Sequence, residues 1–309
     1  MSLPTRLPEI TPFTYGTMSL GRDATNFTAD VAVARQAMEK DLWFHSSRAY
    51  GNGGTFTVLK QAFADAPGRI PKTMFKIACE NAELIQDDVL FTLKTLGLPK
   101  MEIAQLAGNS HEKRDIVDDF LRQGPMFQTC RKLKAQGLVD RFVFEIFYSY
   151  SSDALKAVTH DLFDGYIFYY SLLERQVSNE IWAELQARQL PILSLRPLAG
   201  AFLAGTAKIQ ERKLKEPGHP AFLRRDEIVP FLEKSGCRDL IELSLRFLAS
   251  QPLVKTTIAG TASAAHLYEL SAAVRDARPL EQPLLEELCR LQAGWCRESD
   301  RYQFAKQLW

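Results

Sequence analysis

A tyrosine and a lysine, Tyr50 and Lys76, have the clearest potential for acid–base chemistry in this sequence. Tyr50 follows the short apolar segment LWFHSS, and Lys76 lies within another one, TMFKIAC. An ammonium group close to a phenol favours the phenolate and lowers the pKa of the phenol. Such a tyrosine can protonate a carbonyl oxygen, a step that contributes roughly 10²–10⁴ in rate. The alternative is a rim tyrosine beside a lysine that extends into water, but lysine is seldom buried without a partner or a function.

Both residues belong to a regular alternation of short and long segments along the chain. The short segments are rich in β-branched and aromatic residues, and the longer ones carry apolar residues at helical spacing. About eight strand–helix repeats follow one another, which is typical of an α/β protein with a (β/α)8 TIM barrel. We also expect an N-terminal hairpin before the first strand, FTYGTMSLG, and an extra C-terminal helix, PLLEELCRLQAGW. Because no linker-like tract divides the chain, the sequence predicts one domain over residues 1–309.

This architecture predicts where functional residues lie, because such barrels place their chemistry at the C-terminal ends of the strands and in the following loops. Arg196, after the seventh strand, would bring a cation there and could hold a carboxylate or a phosphate bidentately; an ion pair with a loop carboxylate is the alternative. Trp43 could line a substrate pocket, although aromatic residues near strands are more often core. The segment AGTASAA, with Gly260, Thr261 and Ser263, predicts either an anion site or an ordinary helix cap.

A long connection over residues 199–227 follows the seventh strand. It contains several lysines and arginines, in KIQERKLK and FLRR. Loops of this length are uncommon unless they cover something. We expect either such a cover or a solvated basic surface.

The composition restricts the class of partner. Lys and Arg total 38 and Asp and Glu total 37, so the chain lacks the basic excess of a nucleic-acid-binding protein and a small-molecule substrate is expected. Five cysteines without a C-x-x-C pair indicate free thiols in a reducing compartment. The N-terminus does not resemble a signal peptide and no apolar stretch is long enough to span a membrane, which predicts a cytoplasmic protein. The histidines lack metal-ligand spacing, so no metal site is expected.

Several segments resemble motifs of the aldo-keto reductase superfamily. FHSSRAYG has the frame of the stretch usually written F-D-T-A-x-x-Y-G, TMFK falls at the family's third-strand T-K, and GTMSLG resembles its first loop. SLRPLAGAFLAG and TIAGTASAAHLYEL resemble its seventh-strand and eighth-strand regions. The similarity extends over nearly the whole chain in the order of the repeats. It implies a reductase that transfers hydride from NADPH to an aldehyde or ketone.

The resemblance assigns a role to each residue of the acid–base group. Tyr50 is similar to the family's general acid and Lys76 to the lysine that tunes it. The aspartate that holds this lysine falls on His45, and the histidine after the fourth strand falls on Asn109, with His111 two residues further on. Because a neutral His45 cannot stabilise an ammonium and a charged one repels it, we expect a lowered pKa for Lys76. The positions similar to the family's cofactor-binding loops are Gly16, Thr17, Met18, Pro197, Leu198, Gly260, Thr261 and Ser263.

The positions that hold the nicotinamide in this family differ most from its pattern. The Ser-Asn pair after the fifth strand falls on Ile146 and Phe147, the sixth-strand glutamine on Ile167 and the seventh-strand aromatic near Arg196. The last loop, GTASAAH, has no arginine for the 2′-phosphate of NADPH. A buried amide left without a hydrogen-bond partner costs roughly 1–3 kcal/mol per group, so weakened NADPH binding is expected unless other groups compensate.

Three functions are compatible with these residues. The first is an NADPH-dependent carbonyl reductase with a modified site, which the resemblance favours. The second is redox-neutral chemistry by a lyase, dehydratase or isomerase, with a neutral Lys76 as base or Schiff-base nucleophile beside Tyr50 and His45. The third is a non-catalytic binding or regulatory barrel, since fold does not fix function.

Overall fold

The computed structural model shows eight parallel strands that close into a barrel in chain order, with the last strand paired to the first. The structure describes residues 6–107, 115–146, 152–203, 209–211, 214 and 218–298. The strands are β1 (Phe13–Gly16), β2 (Trp43–Ser47), β3 (Thr73–Ile77), β4 (Met101–Leu106), β5 (Val139–Glu145), β6 (Gly165–Tyr169), β7 (Ile192–Leu195) and β8 (Val254–Ala259). Each strand overlaps a segment predicted to be extended, with β4 and β5 beginning one and two residues earlier than predicted, and the (β/α)8 barrel is confirmed.

Helices surround the barrel. Those within the described residues are α1 (Phe27–Glu39), α2 (Gly54–Ala64), α3 (Ala82–Leu96), α4 (Asp115–Arg122), α5 (Pro125–Ala135), α6 (Ser152–Thr159), α7 (Asn179–Ala187), α8 (Pro220–Ile228), α9 (Phe231–Ser235), α10 (Leu240–Ala249), α11 (Ala264–Asp276) and α12 (Gln282–Glu298). Helix α12 is the expected extra C-terminal helix. Local sequence sets several helix ends: the side chains of Asn81 and Asp239 cap α3 and α10, and Gly97 ends α3 with a φ of 66°.

Two expectations about irregular segments are wrong. Within the described residues 6–12 no strand is present, and β1 pairs only with β2 and β8. Pro8 and Pro12 lack the N–H groups that a hairpin ladder needs, which accounts for the missing hairpin. The connection over residues 199–227 is also not entirely a loop, because α8 begins inside it with Pro220 in its first turn.

The register of the strands decides which side chains enter the barrel. Ser47, Lys76 and Gln105 lie side by side on β2, β3 and β4, and Gln105 pairs in turn with Val143 on β5. Side chains alternate between the two faces of a strand, so partners in register share a face. Val143 belongs to an apolar cluster in the barrel interior, and the three polar residues therefore face the same interior. That cluster contains Ile10, Trp43, Met74, Ile103, Val143, Ile167, Tyr169, Leu193, Leu195 and Ile258.

Candidate active site

The loop after β2 fixes the position of Tyr50. Gly51, Asn52 and Gly53 follow it with φ values of 57°, 52° and 90°, so three consecutive residues adopt left-handed backbone. A Cβ atom at Gly51 would lie 2.7 Å from the carbonyl oxygen of Gly21. The loop after β1 therefore packs backbone to backbone against the loop after β2, and only glycine allows this approach. The sequence GNGG accordingly turns the chain immediately after the tyrosine.

Lys76 is held by a carboxylate that the sequence analysis did not identify. Its Nζ atom lies 3.0 Å from Oε1 of Glu145, a buried residue at the C-terminal end of β5, and its charge also acts on the phenol of Tyr50. Burial lowers the pKa of Lys76, but the charge of Glu145 and the contact with Tyr50 raise it more, so the net shift is upward. The lowered pKa expected for Lys76 is therefore wrong, and the lysine is a cation at neutral pH.

Glu145 replaces, from a different strand, the carboxylate that is missing at position 45. It is the only carboxylate of the segment RFVFEIF, and it follows Val143 by two residues on the same interior face. A charged side chain near the C-terminal end of an otherwise apolar barrel strand was the signal that could have revealed it. Its pairing with a lysine two strands away is a matter of register, which the sequence alone does not supply.

Tyr50 retains its proton at neutral pH. Burial raises the pKa of Tyr50 most, the ammonium of Lys76 lowers it, and the carboxylate of Glu145 raises it again; the net shift is upward. Lys76 lowers the pKa of Tyr50, as expected, but burial and Glu145 raise it by more. The phenol can donate its proton, and the Lys76 ammonium lies in place to stabilise the phenolate that forms.

His45 pairs with a neighbour other than the lysine. Its Nε2 atom lies 2.6 Å from Oε1 of Gln105, and both side chains are buried. Burial and the charge of Lys76 lower the pKa of His45 to about 3, against the opposing hydrogen bond to Gln105. The imidazole is thus neutral, and because an amide oxygen only accepts, His45 donates from Nε2. Because His45 carries no charge, it does not repel the Lys76 cation.

This lowered pKa predicts how acid affects stability. The folded protein protonates His45 only near pH 3, whereas the unfolded chain does so near ~6.5, so the unfolded state binds more protons in between. Stability should therefore fall as the pH drops below ~6.5, by up to about 1.4 kcal/mol per pH unit from this residue. We expect His45→Gln to remove this part of the acid sensitivity in urea unfolding at pH 7 and pH 4.5. The exposed His160→Gln is the control, and equal acid sensitivity in both variants would contradict the prediction.

The opposite wall of the barrel mouth is formed by residues of β6 and β7. Tyr169 belongs to the interior apolar cluster, and the guanidinium of Arg196 lies 4.8 Å from the centre of its ring. Burial raises the pKa of Tyr169 most, and the charge of Glu145 raises it further, which places this ring within electrostatic range of the Lys76 pair. Arg196 is half-buried and forms no ion pair within the described part of the chain. The loop-carboxylate alternative for Arg196 therefore finds no support there.

These contacts give the site its context, and comparison with known proteins identifies the family. The family model described as "Aldo/keto reductase family" matches residues 12–282. The chain belongs to the aldo/keto reductase family. Among curated protein sequences none matches significantly. An aldo-keto reductase from Klebsiella pneumoniae in complex with NADPH is 18% identical, with 95% of this chain and 96% of that chain covered and a TM-score of 0.67. The holo form of an aldo-keto reductase from Bacillus halodurans is 20% identical, with 94% and 95% covered and a TM-score of 0.71.

Membership of the aldo/keto reductase family makes this chain an oxidoreductase, and it confirms the resemblance seen in the motifs. At the identities above, the solved structures support the barrel fold. Across the residues that the structure describes, no cluster of three metal-ligating side chains is present. Nor is any described helix both long and apolar enough to cross a membrane.

The first expected cofactor loop packs tightly against its neighbours. A Cβ atom at Gly16 would lie 3.3 Å from the backbone of Ala259, so β1 and β8 approach closely there. Thr17 is fully buried, and its hydroxyl donates to the Ser46 hydroxyl at 2.7 Å. Met18 is 40% exposed and, of the three predicted residues, is the one that a ligand can reach most easily.

The last loop caps a helix. Thr261 accepts a hydrogen bond from the Tyr15 hydroxyl through its carbonyl oxygen, at 2.7 Å. The Ser263 side chain accepts from the backbone of His266 and caps α11, as the alternative reading of this segment expects. Gly260 lies against the backbone of Gly16. This cap leaves residues 260–263 partly or fully exposed, so the start of α11 is open to a ligand.

Three further predicted residues are held by contacts within the protein. Pro197 is buried and its carbonyl oxygen accepts from Ser244 in α10 at 2.7 Å, while Leu198 packs partly buried against the outer core. Trp43 lies at the N-terminal end of β2 in the interior cluster, at the far end of the strand from Tyr50. Its position does not support the substrate contact expected for Trp43. The predicted residues Asn109, His111 and Phe147 lie outside the described residues.

The nicotinamide end of NADPH can be tested against the residues present. Ile146 and Ile167 are fully buried and offer no side-chain hydrogen bond, but Glu174, in the segment after β6, is buried with both carboxylate oxygens lacking a partner among the described residues. An orphaned acceptor of this kind fits the NH₂ group of a carboxamide. Tyr169 and Leu195 add an apolar surface for the ring. The residues present therefore fit a nicotinamide cofactor.

Glu174 itself makes a testable contribution to stability. Burial raises the pKa of Glu174 to about 7, against the attraction of Arg196 and Arg224. Between its unfolded pKa near ~4.5 and this value, the folded protein binds more protons, so stability falls as the pH rises through that interval. We expect Glu174→Gln to be more stable than the wild type by ~3 kcal/mol at pH 8 and similar at pH 4.5. Thermal unfolding at both pH values, with the exposed Glu269→Gln as control, measures this; a variant less stable at pH 8 would refute it.

Proposed function

We propose that this chain reduces a small carbonyl compound, with NADPH as the hydride donor. The observation that carries the proposal is the position of Lys76, which pairs with the carboxylate of Glu145 and acts electrostatically on the phenol of Tyr50. When bound, the cofactor supplies the hydride for the carbonyl carbon. The chain supplies the proton for the carbonyl oxygen, from Tyr50.

The charges around Tyr50 suit this proton transfer. The phenol is protonated before the reaction, because its pKa is raised by burial and by Glu145, against the effect of Lys76. As the carbonyl oxygen gains negative charge, the proton moves from Tyr50 to that oxygen and the Lys76 ammonium stabilises the phenolate. Glu145 keeps Lys76 charged throughout, since its carboxylate lies 3.0 Å from Nζ. The proton donor Tyr50, the tuning cation Lys76 and the counter-ion Glu145 thus form one electrostatically linked group.

The other two functions have weaker support. A Schiff-base mechanism needs a neutral lysine amine, and the raised pKa of Lys76 disfavours this form. A purely binding role gives no reason to keep a lysine in the barrel interior with a new counter-ion from β5. The cysteines are all free, which fits a reducing compartment, and we place the enzyme in the cytoplasm with a small-molecule substrate as its partner.

The proposed function is tested by titrating the protein with NADPH and NADH and following nicotinamide fluorescence or calorimetric heat. Saturable binding at about micromolar concentration, followed by NADPH consumption with aldehydes or ketones, is the expected result. Absence of binding at millimolar cofactor would overturn the proposal. A stable adduct on Lys76 after borohydride treatment in the presence of a carbonyl compound would favour the redox-neutral alternative instead.

A further inference from the structure

Arg196 is held in an unusual and specific position at the end of β7. Its backbone has a φ of 59°, in the left-handed region that residues other than glycine seldom adopt. Gly200 lies directly against its guanidinium, so that a Cβ atom at position 200 would collide with it. The backbone of Arg196 and the lack of a side chain at Gly200 together place the guanidinium over the ring of Tyr169. Neither feature is needed for a solvated surface arginine.

The donors of this guanidinium are not used by the described residues. Arg196 has five N–H donors, and none of them makes a hydrogen bond or an ion pair there. The buried carboxyl of Glu174 acts on it only at a distance, because neither of its oxygens has a hydrogen-bond partner. A half-buried cation whose donors meet no acceptor among the described residues can bind a planar anion, since a carboxylate matches the guanidinium fork with two parallel hydrogen bonds.

Arg196 is also close to the acid–base group. The ring of Tyr169 carries the guanidinium on its face and is within electrostatic range of both Tyr50 and Glu145. Tyr169 ends β6, Arg196 follows β7 and Tyr50 follows β2, so all three lie at the C-terminal end of the barrel. A substrate whose carbonyl oxygen contacts Tyr50 would extend across this end of the barrel to place a second functional group at Arg196.

We propose that Arg196 binds the carboxylate of the substrate, and that the substrates are short oxo acids rather than neutral aldehydes or ketones. This inference rests on the proposed function for the carbonyl end, but the carboxylate site has its own geometry. A phosphate group of the cofactor has the same binding chemistry. We assign the site to the substrate because the guanidinium lies on Tyr169, beside the acid–base group.

The first test compares one oxo acid with its methyl ester, which has the same carbonyl but no charge. We expect the wild type to prefer the acid by about 10–100-fold in kcat/KM, and Arg196→Met to lose that preference mainly through a higher KM for the acid. Arg196→Lys should retain part of it, because lysine keeps the charge but not the bidentate fork. Arg224→Met, which removes another arginine near Glu174, should keep the preference. Equal kcat/KM for acid and ester in the wild type would overturn the inference.

The second test measures binding without turnover and separates this inference from the proposed function. Calorimetry with propionate and with propionamide, in the absence of cofactor, should show binding of the carboxylate alone and its loss in Arg196→Met. If this holds while no carbonyl compound is reduced, the carboxylate site stands and the reductase proposal fails. If Arg196→Met instead abolishes NADPH binding and leaves propionate binding unchanged, the arginine serves the cofactor and the inference fails. If neither propionate nor the oxo acid binds, the inference is overturned as well.

Discussion

Glu145→Gln is expected to destabilise the protein by about 3 kcal/mol and to lower kcat/KM by at least about tenfold, because removal of one partner leaves the charge of a largely buried ion pair uncompensated. Lys76 is 22% exposed, so water relieves part of this cost, and the estimate is at the lower end of the range for fully buried pairs. In the variant, burial of Lys76 acts without the opposing carboxylate, and the pKa of this lysine falls. Urea unfolding and steady-state kinetics at pH 7 measure both effects.

The pH dependence of the Glu145→Gln effect has a definite sign. In the wild type the pKa of Lys76 is raised, so its contribution to stability is present below the unfolded pKa near ~10.5 and is lost at higher pH. The difference in unfolding free energy between wild type and variant should therefore be largest at neutral pH and should shrink as the pH rises above ~10.5, through the raised pKa of folded Lys76. A constant difference at all pH values would contradict a role for the ion pair.

A second substitution tests whether the location of the carboxylate matters. His45 and Glu145 enter the same barrel interior from β2 and β5, on either side of Lys76. The double variant His45→Asp with Glu145→Gln moves the negative charge to the position where the family motif has its aspartate. We expect it to regain at least part of the lost activity, whereas His45→Gln with Glu145→Gln regains none. Wild-type activity in Glu145→Gln alone would show that the carboxylate is dispensable.

Tyr50→Phe is expected to lower kcat by roughly 10²–10⁴, since it removes the proton donor while it keeps the ring. Cofactor binding and the unfolding free energy should change little, because only the hydroxyl is lost. The wild-type kcat should also stay level between pH 7 and pH 9, as the pKa of Tyr50 is raised by burial and by Glu145, against the effect of Lys76. Stopped-flow measurement of a single turnover separates this step from product release.

The control for Tyr50→Phe is Tyr268→Phe, which removes a hydroxyl from an exposed ring on α11. It should leave kcat unchanged. Retention of more than about a tenth of the wild-type kcat in Tyr50→Phe would exclude this phenol as the general acid, given the size of such contributions.

The sequence by itself predicted the order of strands and helices and the pairing of Tyr50 with Lys76. These features depend on local information: the spacing of apolar residues along each segment, and the adjacency of consecutive parallel strands in a barrel. The turn after Tyr50 also depends on local sequence, because it is formed by the glycines that follow the tyrosine. The predicted N-terminal hairpin is wrong: residues 6–12 contain no strand, and Pro8 and Pro12 lack the N–H groups that a hairpin ladder needs.

Only the tertiary structure decided the charges of the site. Lys76 and Glu145 are 69 residues apart, on strands separated by β4, and they meet because their side chains cross the barrel interior at matching heights. The family motif has its aspartate at position 45, where this chain has a histidine. Burial and these distant neighbours then keep Lys76 charged and His45 neutral. A pKa depends on the distances to other charges and on the exclusion of water, and both exist only once the barrel has closed.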